Sequence, residues 1–330
     1  MNRTWWAWAR PLASAAILAV LVWRLGTGPL VDGVRMVNGW CLAAAAGIAV
    51  LTTVCCAWRW SLVARGLGVG VPLPTAVAAY YRSQFLNTTL PGGVLGDVHR
   101  GVHHGRDAGD VGRGLRAVAW ERFAGQFVQI VLTMIVLLLL PSPVRSSMPI
   151  VAAVVVAGAL VAVLVGWVLP RGGSSRRARA LRAASADLRH GLLARQVWPG
   201  ILLLSAVVVV GHAATFLIAA RTAGSTASPD RLLPLALLVL AAMAVPANIA
   251  GWGPREGAAA WTFGVAGLGA TQGVATAVVY GVMVIVSSLP GAVVLLVVWL
   301  RRHTRAAPDH VDPAPWRTPV GASTEGAARG

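Results

Sequence analysis

The sequence has few charged residues and very few acidic ones. Of its 330 residues, 12% are charged, 57% are hydrophobic and 11 are Asp or Glu, whereas charged residues make up roughly a quarter of an ordinary soluble domain. Together with a mean hydropathy of +0.70, this composition excludes a soluble globular protein. It indicates a polytopic membrane protein.

Lysine is absent, and all 28 basic residues are arginine. The net charge of +17 is in the range of nucleic-acid-binding proteins, but the arginines lie between apolar segments rather than on one soluble surface. We therefore interpret them as determinants of membrane topology and as contacts to anionic lipid. No nucleic-acid partner is expected.

Cysteine is also scarce. Cys41, Cys55 and Cys56 lie in one apolar segment, a distribution that excludes a zinc or disulfide framework. The short run of alternating glycines from Gly66 to Gly70 lacks the strand and helix that a nucleotide-binding fingerprint needs. We expect neither a metal nor another cofactor.

Several apolar segments are long enough to cross a bilayer, which takes about 20 residues of helix. The uncharged stretch from Gly257 to Leu300 is long enough for two passes, with a fold-back at the glycines between Gly264 and Gly273. The other predicted spans are Pro11 to Trp23, Asn38 to Ala57, Phe123 to Leu140, Ser146 to Pro170 and Gln196 to Ala220. Between the last two spans, the Arg-rich residues 171–195 are either an amphipathic helix on the inner leaflet or a solvated loop helix.

Two further segments, Pro74 to Leu90 and Leu232 to Val245, each run into the same interruption. Within a bilayer, a cluster of Pro and Gly is tolerated only when it is buried in protein or faces a water-filled cavity. Paired interruptions in two halves of a chain indicate a transport site. The shared pattern is Pro, four residues, Gly, three residues and Arg, and it occurs at Pro91, Gly96 and Arg100 and again at Pro246, Gly251 and Arg255.

The distribution of arginine predicts the topology. If Pro74 to Leu90 enters the membrane and returns, both Arg-rich loops lie in the cytoplasm, as the positive-inside rule requires. The second interruption is either a matching re-entrant hairpin or two full passes. We predict an all-α bundle of about six full spans plus two broken or re-entrant helices, about eight hydrophobic segments in all, arranged as inverted repeats. Residues 1–305 form this domain in the cell membrane, both termini are cytoplasmic, and 306–330 are a disordered tail.

Polar residues around the two interruptions form the candidate site. Ionisable groups at membrane depth indicate function, guanidinium groups bind phosphate, and a Gly-rich turn can offer amides to the same anion. The alternative is structural: Asp97 closes a turn with Arg100, and Glu121 with Arg122 locks a helix. The predicted headgroup-binding residues are Arg82, Asn87, Gly92, Gly93, Gly96, Asp97, Arg100, Glu121, Arg122, Asn248, Gly251, Arg255 and Glu256.

Four stretches together resemble the lysylphosphatidylglycerol synthase transmembrane family, also called flippase-like domain proteins. The resemblance covers nearly all of residues 11–302 and implies a multi-spanning membrane protein that moves lipid between leaflets. It also implies that nine positions here match those that recur in the family: Asn87, Pro91, Gly96, Asp97, Arg100, Glu121, Arg122, Arg255 and Glu256. No aminoacyl-transferase domain follows the membrane part in this sequence, so we expect the chain not to make the aminoacylated lipid itself. The stretches are FLNTTLPGGVLGDVHR (85–100), ERFAG (121–125), VPANIAGWGPREG (245–257) and LPG (289–291).

The resulting hypothesis is a non-enzymatic translocase of a phospholipid or lipid-linked headgroup, in which Arg100 and Arg255 bind the phosphate in turn. Its partners would be membrane lipids with an anionic or lipid-linked headgroup, and a homodimer is left open. One alternative is a membrane enzyme acting on lipid-phosphate or polyprenyl-phosphate sugars, with Asp97 or Glu121 as base or metal ligand. Another is a non-catalytic partner of a separate lipid-modifying enzyme.

Overall fold

The computed structural model describes residues 3–90, 93–142, 144–145, 183–244 and 252–305. Within these ranges the chain forms ten α-helices and no strand, which confirms the all-α prediction. The helices are α1 (Arg3–Leu25), α2 (Gly28–Arg35), α3 (Gly39–Gly66), α4 (Leu73–Thr89), α5 (Leu95–Asp107), α6 (Val111–Leu139), α7 (Trp198–Thr222), α8 (Pro229–Ala242), α9 (Pro254–Val265) and α10 (Ala270–Arg305).

Four of these helices are long and apolar enough to span a membrane: α3, α6, α7 and α10. A fifth span is counted if residues 14–25 of α1 and all of α2, which meet at an angle of 97°, are taken as one broken segment. The predicted total of about eight hydrophobic segments is therefore not confirmed in the described ranges. The predicted span Ser146 to Pro170 lies outside them.

Helix bounds differ from the sequence prediction at the end of α3 and at the start of α6, where each helix continues past its apolar run. The side chain of Asn38 caps α3 by accepting a hydrogen bond from the Cys41 amide at 3.0 Å, and α3 continues beyond the predicted end at Ala57 to Gly66. Asp110 caps α6 in the same way, so α6 begins at Val111, well before the predicted Phe123. Side-chain caps satisfy backbone amides that have no partner within the helix.

The stretch from Gly257 to Leu300 contains one spanning helix rather than the predicted two. The turn falls among the predicted glycines, where Gly267 and Gly269 adopt positive φ angles of 74° and 90°. The helix before the turn, α9, has only 12 residues, fewer than the roughly 20 needed to cross hydrocarbon. The helix after it, α10, has 36.

Each interruption lies between two short helices that pack as an antiparallel pair. In the first hairpin, formed by α4 and α5, Asn87 pairs with Gly96 near the turn while Tyr80 lies over Arg100 farther from it. In the second hairpin, formed by α8 and α9, Arg231 near the start of α8 donates to the carbonyl just beyond α9. The re-entrant path of these two segments through the membrane stays a prediction.

The long helices preceding the two hairpins, α3 and α7, pack along each other in opposite directions. Arg59 of α3 donates to Ser205 of α7, whereas Thr52, earlier in α3, contacts Gly211, later in α7. An inverted repeat requires this antiparallel relation but is not established by it, so the repeat remains a prediction. The two largest apolar clusters among the described residues lie around Trp60, beside the first hairpin, and around Phe263 of the second hairpin. A smaller cluster around Val278 packs against α1 and α2.

The described end of the linker, residues 183–195, packs on the protein. Its π-helical turn Asp187–Leu192 places Leu188 and Leu192 against the apolar cluster of the first hairpin. Asp187 accepts a hydrogen bond from Arg116 at 2.7 Å and another from the Trp120 indole. These leucines therefore face the bundle, not the lipid that the amphipathic-helix alternative predicts.

The chain divides into two compact units, residues 1–294 and 295–330. The first contains both hairpins and the greater part of every helix. The described part of the second is the C-terminal end of α10, up to Arg305. The tail predicted for residues 306–330 lies outside the described ranges.

Candidate functional site

A buried cluster of charged residues connects the first hairpin to α3 and α6. Glu121 of α6, with no exposed side-chain surface, accepts hydrogen bonds from Arg59 Nε at 3.0 Å and from Arg100 at 3.1 Å. The Tyr80 hydroxyl donates to the same carboxylate at 3.2 Å. One carboxylate thus compensates two buried guanidinium groups, each on a different helix.

Asp97, in the first turn of α5, is the second carboxylate of this cluster. It accepts from Arg122 at 2.8 Å and from Arg100 at 3.1 Å, and also from Ser83 and Asn87 of α4. Both carboxylate oxygens are therefore occupied. The cluster contains three arginines (59, 100 and 122) and two acids, so its formal charge is 3 − 2 = +1.

Arg100 lies inside the protein, with 1% of its surface exposed. Its guanidinium group stacks between Trp60 and Tyr80, at 4.5 and 4.2 Å from the ring centroids, and its Nε and one of its terminal nitrogens have no hydrogen-bond partner. Cation–π attraction replaces part of the lost hydration. The Asp97–Arg100 pair of the structural alternative is present, whereas Glu121 pairs with Arg59 and Arg100 and its neighbour Arg122 pairs with Asp97 instead.

The second hairpin has a smaller charged pair at the start of α9. Arg255 donates to the neighbouring Glu256 from Nε at 2.8 Å and from a terminal nitrogen at 2.6 Å. Glu256 also accepts from the Gly253 amide at 2.7 Å, which caps the helix. Gly253 has φ of +116°, a conformation that favours glycine.

Two arginines, Arg59 of α3 and Arg255 of the second hairpin, each lie against a glycine of a facing long helix. A Cβ at Gly125 of α6 would collide with the Arg59 guanidinium, and a Cβ at Gly281 of α10 would collide with that of Arg255. Close packing of this kind needs a residue without a side chain. It holds both guanidinium groups in fixed positions beside open space.

Two adjoining cavities open beside these arginines. The Arg255 cavity, about 280 Å³, is bordered by the turn of the first hairpin, the start of α9, α3 and α10. The Arg59 cavity, about 560 Å³, lies between α3, α4, α6 and α7. Their shared wall consists of Gln84, Gly93, Arg122, His212 and Met243.

Three arginines and one carboxylate line the two cavities. Arg59 and Arg255 are almost fully buried, whereas 46% of the Arg122 side chain is exposed. Asp97 is the only acid among the wall residues that the structure describes. Arg100 and the two carboxylates that pair with Arg59 and Arg255 lie directly behind the wall and bring the formal charge of the whole site to 4 − 3 = +1, which favours an anion.

The Arg59 cavity borders the outer surface of the helix bundle at α6. Phe123, one of its wall residues, is 57% exposed. It begins an exposed apolar row along α6 that continues through Phe127, Ile130 and Val131. A surface of this kind suits acyl chains, because large exposed apolar patches mark membrane or partner contacts.

Both interruptions predicted from the sequence border the Arg255 cavity. Asn87 and Gly93 reach it from the first hairpin and Arg255 from the second. Gly96 does not offer its amide to a ligand, because that amide donates to Asn87 at 2.8 Å. Arg82 is buried. Of the predicted site residues, Gly92, Asn248 and Gly251 lie outside the described ranges.

The sequence prediction omitted several wall residues. Arg59 follows directly after the predicted end of an apolar span, and its position between Trp58 and Trp60 was the available signal. His212 lies in the shared wall, 3.3 Å from the Tyr280 hydroxyl. A single polar residue in an apolar span does not by itself reveal which neighbour it will meet.

A family model described as the lysylphosphatidylglycerol synthase TM region matches residues 8–303. Comparison with curated proteins and with solved structures found no match.

Proposed function

We propose that this chain, which belongs to the lysylphosphatidylglycerol synthase transmembrane family and is an integral membrane protein, translocates the headgroup of a phospholipid or lipid-linked compound between leaflets. The observation that supports this most strongly is the pair of cationic cavities where the two hairpins meet inside an apolar bundle. Moving a charged headgroup unaided through hydrocarbon is costly. A polar, arginine-lined passage removes much of that cost.

Arg122 and Arg255 are the proposed phosphate ligands. Arg122 borders both cavities and Arg255 borders one, so a phosphate held between the cavities can contact each in turn. Of the two, Arg122 can reorient more easily, because nearly half of its side chain is exposed. Within the protein it forms an ion pair with Asp97. We assign Arg100 a supporting role, since it lines neither cavity and is enclosed by two aromatic rings.

Acyl chains would remain in the bilayer along the exposed apolar face of α6 while the headgroup occupies the Arg59 cavity. The exposed Phe123 at the boundary of that cavity supports this arrangement. The antiparallel packing of α3 and α7 supports inverted repeats, whose rocking would open the site to alternate leaflets. The lipids of the cell membrane are the proposed partners.

We propose that translocation needs no covalent chemistry by this chain. Asp97 and Glu121, the acids considered as a general base or metal ligand, are each held by two arginines. Among the described residues no group of three His, Cys, Asp or Glu side chains is placed to hold a metal ion. The ion pairs that occupy Asp97 and Glu121 favour transport over lipid modification.

The test is transbilayer movement of a labelled phospholipid in proteoliposomes. Removing the phosphate contact with Arg122→Ala or Arg255→Ala should slow movement by about tenfold or more, because hydrogen bonds to charged groups contribute about 1.5–3 kcal/mol. Arg122→Lys should retain part of the rate, since it preserves the charge but not the bidentate geometry.

Arg231→Ala is the matched control. It removes the same charge outside both cavities, where the Arg231 guanidinium donates an exposed hydrogen bond to the Ala266 carbonyl. The rate of lipid movement should remain at the native level. Equal rates for the native protein and for both cavity variants would refute the site. A covalently altered lipid among the products would instead favour an enzyme.

A further inference from the structure

The charges around the cavities restrict the class of lipid that they can take. The sequence has 11 acidic residues, and eight of them lie in the described ranges. The other three, Asp309, Asp312 and Glu325, belong to residues 306–330. The segments between residues 91 and 251 that the structure does not describe contain no Asp or Glu, so they add no carboxylate to the cavity walls.

The carboxylates nearest the cavities have no oxygen available for a cation. Glu121 and Glu256 are fully buried and line neither cavity. Asp97 reaches the Arg59 cavity, but its Oδ1 accepts from Ser83 and two arginines and its Oδ2 accepts from Asn87 and Arg122. An ammonium group entering this space would have no unoccupied anionic partner.

The same walls offer many neutral hydrogen-bonding groups. Hydroxyl and carboxamide side chains come from five helices, α3, α4, α6, α7 and α10. These groups both donate and accept hydrogen bonds, which suits the hydroxyls of a polyol or sugar. The six that matter most are Thr52, Gln84, Asn87, Gln126, Gln129 and Ser287.

From this arrangement we infer that the site selects a net-anionic lipid phosphate with a neutral, hydroxyl-bearing headgroup and discriminates against lipids that carry an ammonium group. The inference rests on the proposed function, since it concerns the same cavities. Guanidinium groups bind the phosphate, and the neutral side chains bind the hydroxyls. A lysyl ester of phosphatidylglycerol, with one phosphate and two ammonium groups, would meet a site of formal charge +1 whose carboxylates are already paired with arginines.

The experiment compares phosphatidylglycerol, phosphatidylethanolamine and lysyl-phosphatidylglycerol with identical acyl chains. Labelled forms are tested for movement in proteoliposomes, and unlabelled forms are tested for binding to detergent-solubilised protein by native mass spectrometry. Phosphatidylglycerol should be preferred over the lysyl ester by about tenfold or more in both assays. Equal or greater movement or binding of the lysyl ester would overturn the inference.

The two assays separate this inference from the proposed function. If no lipid moves but phosphatidylglycerol still binds preferentially, the translocase proposal fails and the headgroup selectivity remains. If all three lipids move at equal rates, the translocase proposal remains and the selectivity fails.

A charge substitution in the shared wall provides a second test. Gln84→Glu keeps the shape of the side chain and the hydrogen bond that its Oε1 accepts from Thr53 at 3.1 Å, while lowering the formal charge of the site from +1 to 0. The preference for phosphatidylglycerol should fall by about tenfold. Gln196→Glu, an exposed position outside both cavities, is the matched control and should leave the preference unchanged. An unchanged preference in Gln84→Glu would also overturn the inference.

Discussion

Glu121→Gln tests whether the buried charged cluster stabilises the fold. The substitution keeps the shape of the side chain but removes the charge that compensates Arg59 and Arg100, both buried. The formal charge of the cluster rises from 3 − 2 = +1 to 3 − 1 = +2. Because the guanidinium groups cannot reach bulk water without moving α3 or α5, the uncompensated charge stays in the interior.

The expected loss of stability follows from the geometry of this carboxylate. Two unit charges about 4 Å apart attract by about 4 kcal/mol at an effective dielectric constant near 20, and Glu121 makes two such contacts. Part of this attraction is offset by the desolvation of the ions, so removing one partner of a buried pair costs about 3–5 kcal/mol. We therefore expect the thermal midpoint of the detergent-solubilised protein to fall by several degrees.

Asp107→Asn is the matched control, because it removes one negative charge from a side chain that is 66% exposed. Its effect should stay within about 0.5 kcal/mol. Adding Arg100→Met to Glu121→Gln restores a cluster charge of 2 − 1 = +1, so the double variant should be more stable than the sum of the two single effects by about 1–3 kcal/mol. Identical midpoints for Glu121→Gln and Asp107→Asn would refute the reasoning.

Three further predictions concern packing, the linker and topology. Gly96→Ala should destabilise the protein by about 1–3 kcal/mol, because its Cβ would collide with the Ser83 carbonyl. Gly47→Ala, with open space around it, should be neutral in the same thermal assay. Asp187→Asn should lower the free energy of unfolding by no more than about 1 kcal/mol in that assay, because its Arg116 partner is 38% exposed and water screens such a pair. A larger loss would contradict this weak, solvent-screened pairing. Reporter fusions at both termini should be active in the cytoplasm, and a periplasmic signal at either end would contradict the topology inferred from arginine.

Composition and local motifs were enough to identify the class of protein and the positions of its irregular segments. The apolar composition required a membrane bundle, because no soluble fold can bury so much apolar surface with so few charges. The first Pro and Gly cluster follows α4, and the second precedes α9. Helices stop at such clusters because proline lacks an amide donor and glycine readily adopts positive φ angles. The fold-back before α10 falls at Gly267 and Gly269 for the same reason.

The lengths of the spans were less predictable, because capping and neighbouring helices decide where a helix ends. The apolar run before Ala57 ends there in the sequence, but α3 continues to Gly66 since the protein interior takes up Arg59 through Glu121 and Ser205. A hydropathy scale counts Arg59 as unfavourable within a membrane span. The scale contains no information about the Glu121 carboxylate, which lies 62 residues away in the sequence.

The sequence by itself determined that polar groups gather at two breaks in an apolar chain, because backbone and charge must be satisfied wherever they enter a bilayer. Tertiary structure decided which arginine borders open space. Arg100 and Arg122 each have an acid close by in the sequence, Asp97 and Glu121 respectively, yet Arg100 is enclosed by aromatic rings while Arg122 borders both cavities. That difference arises from the crossing of α4, α5 and α6, since contacts between distant segments and not local propensity determine which face of a helix meets open space.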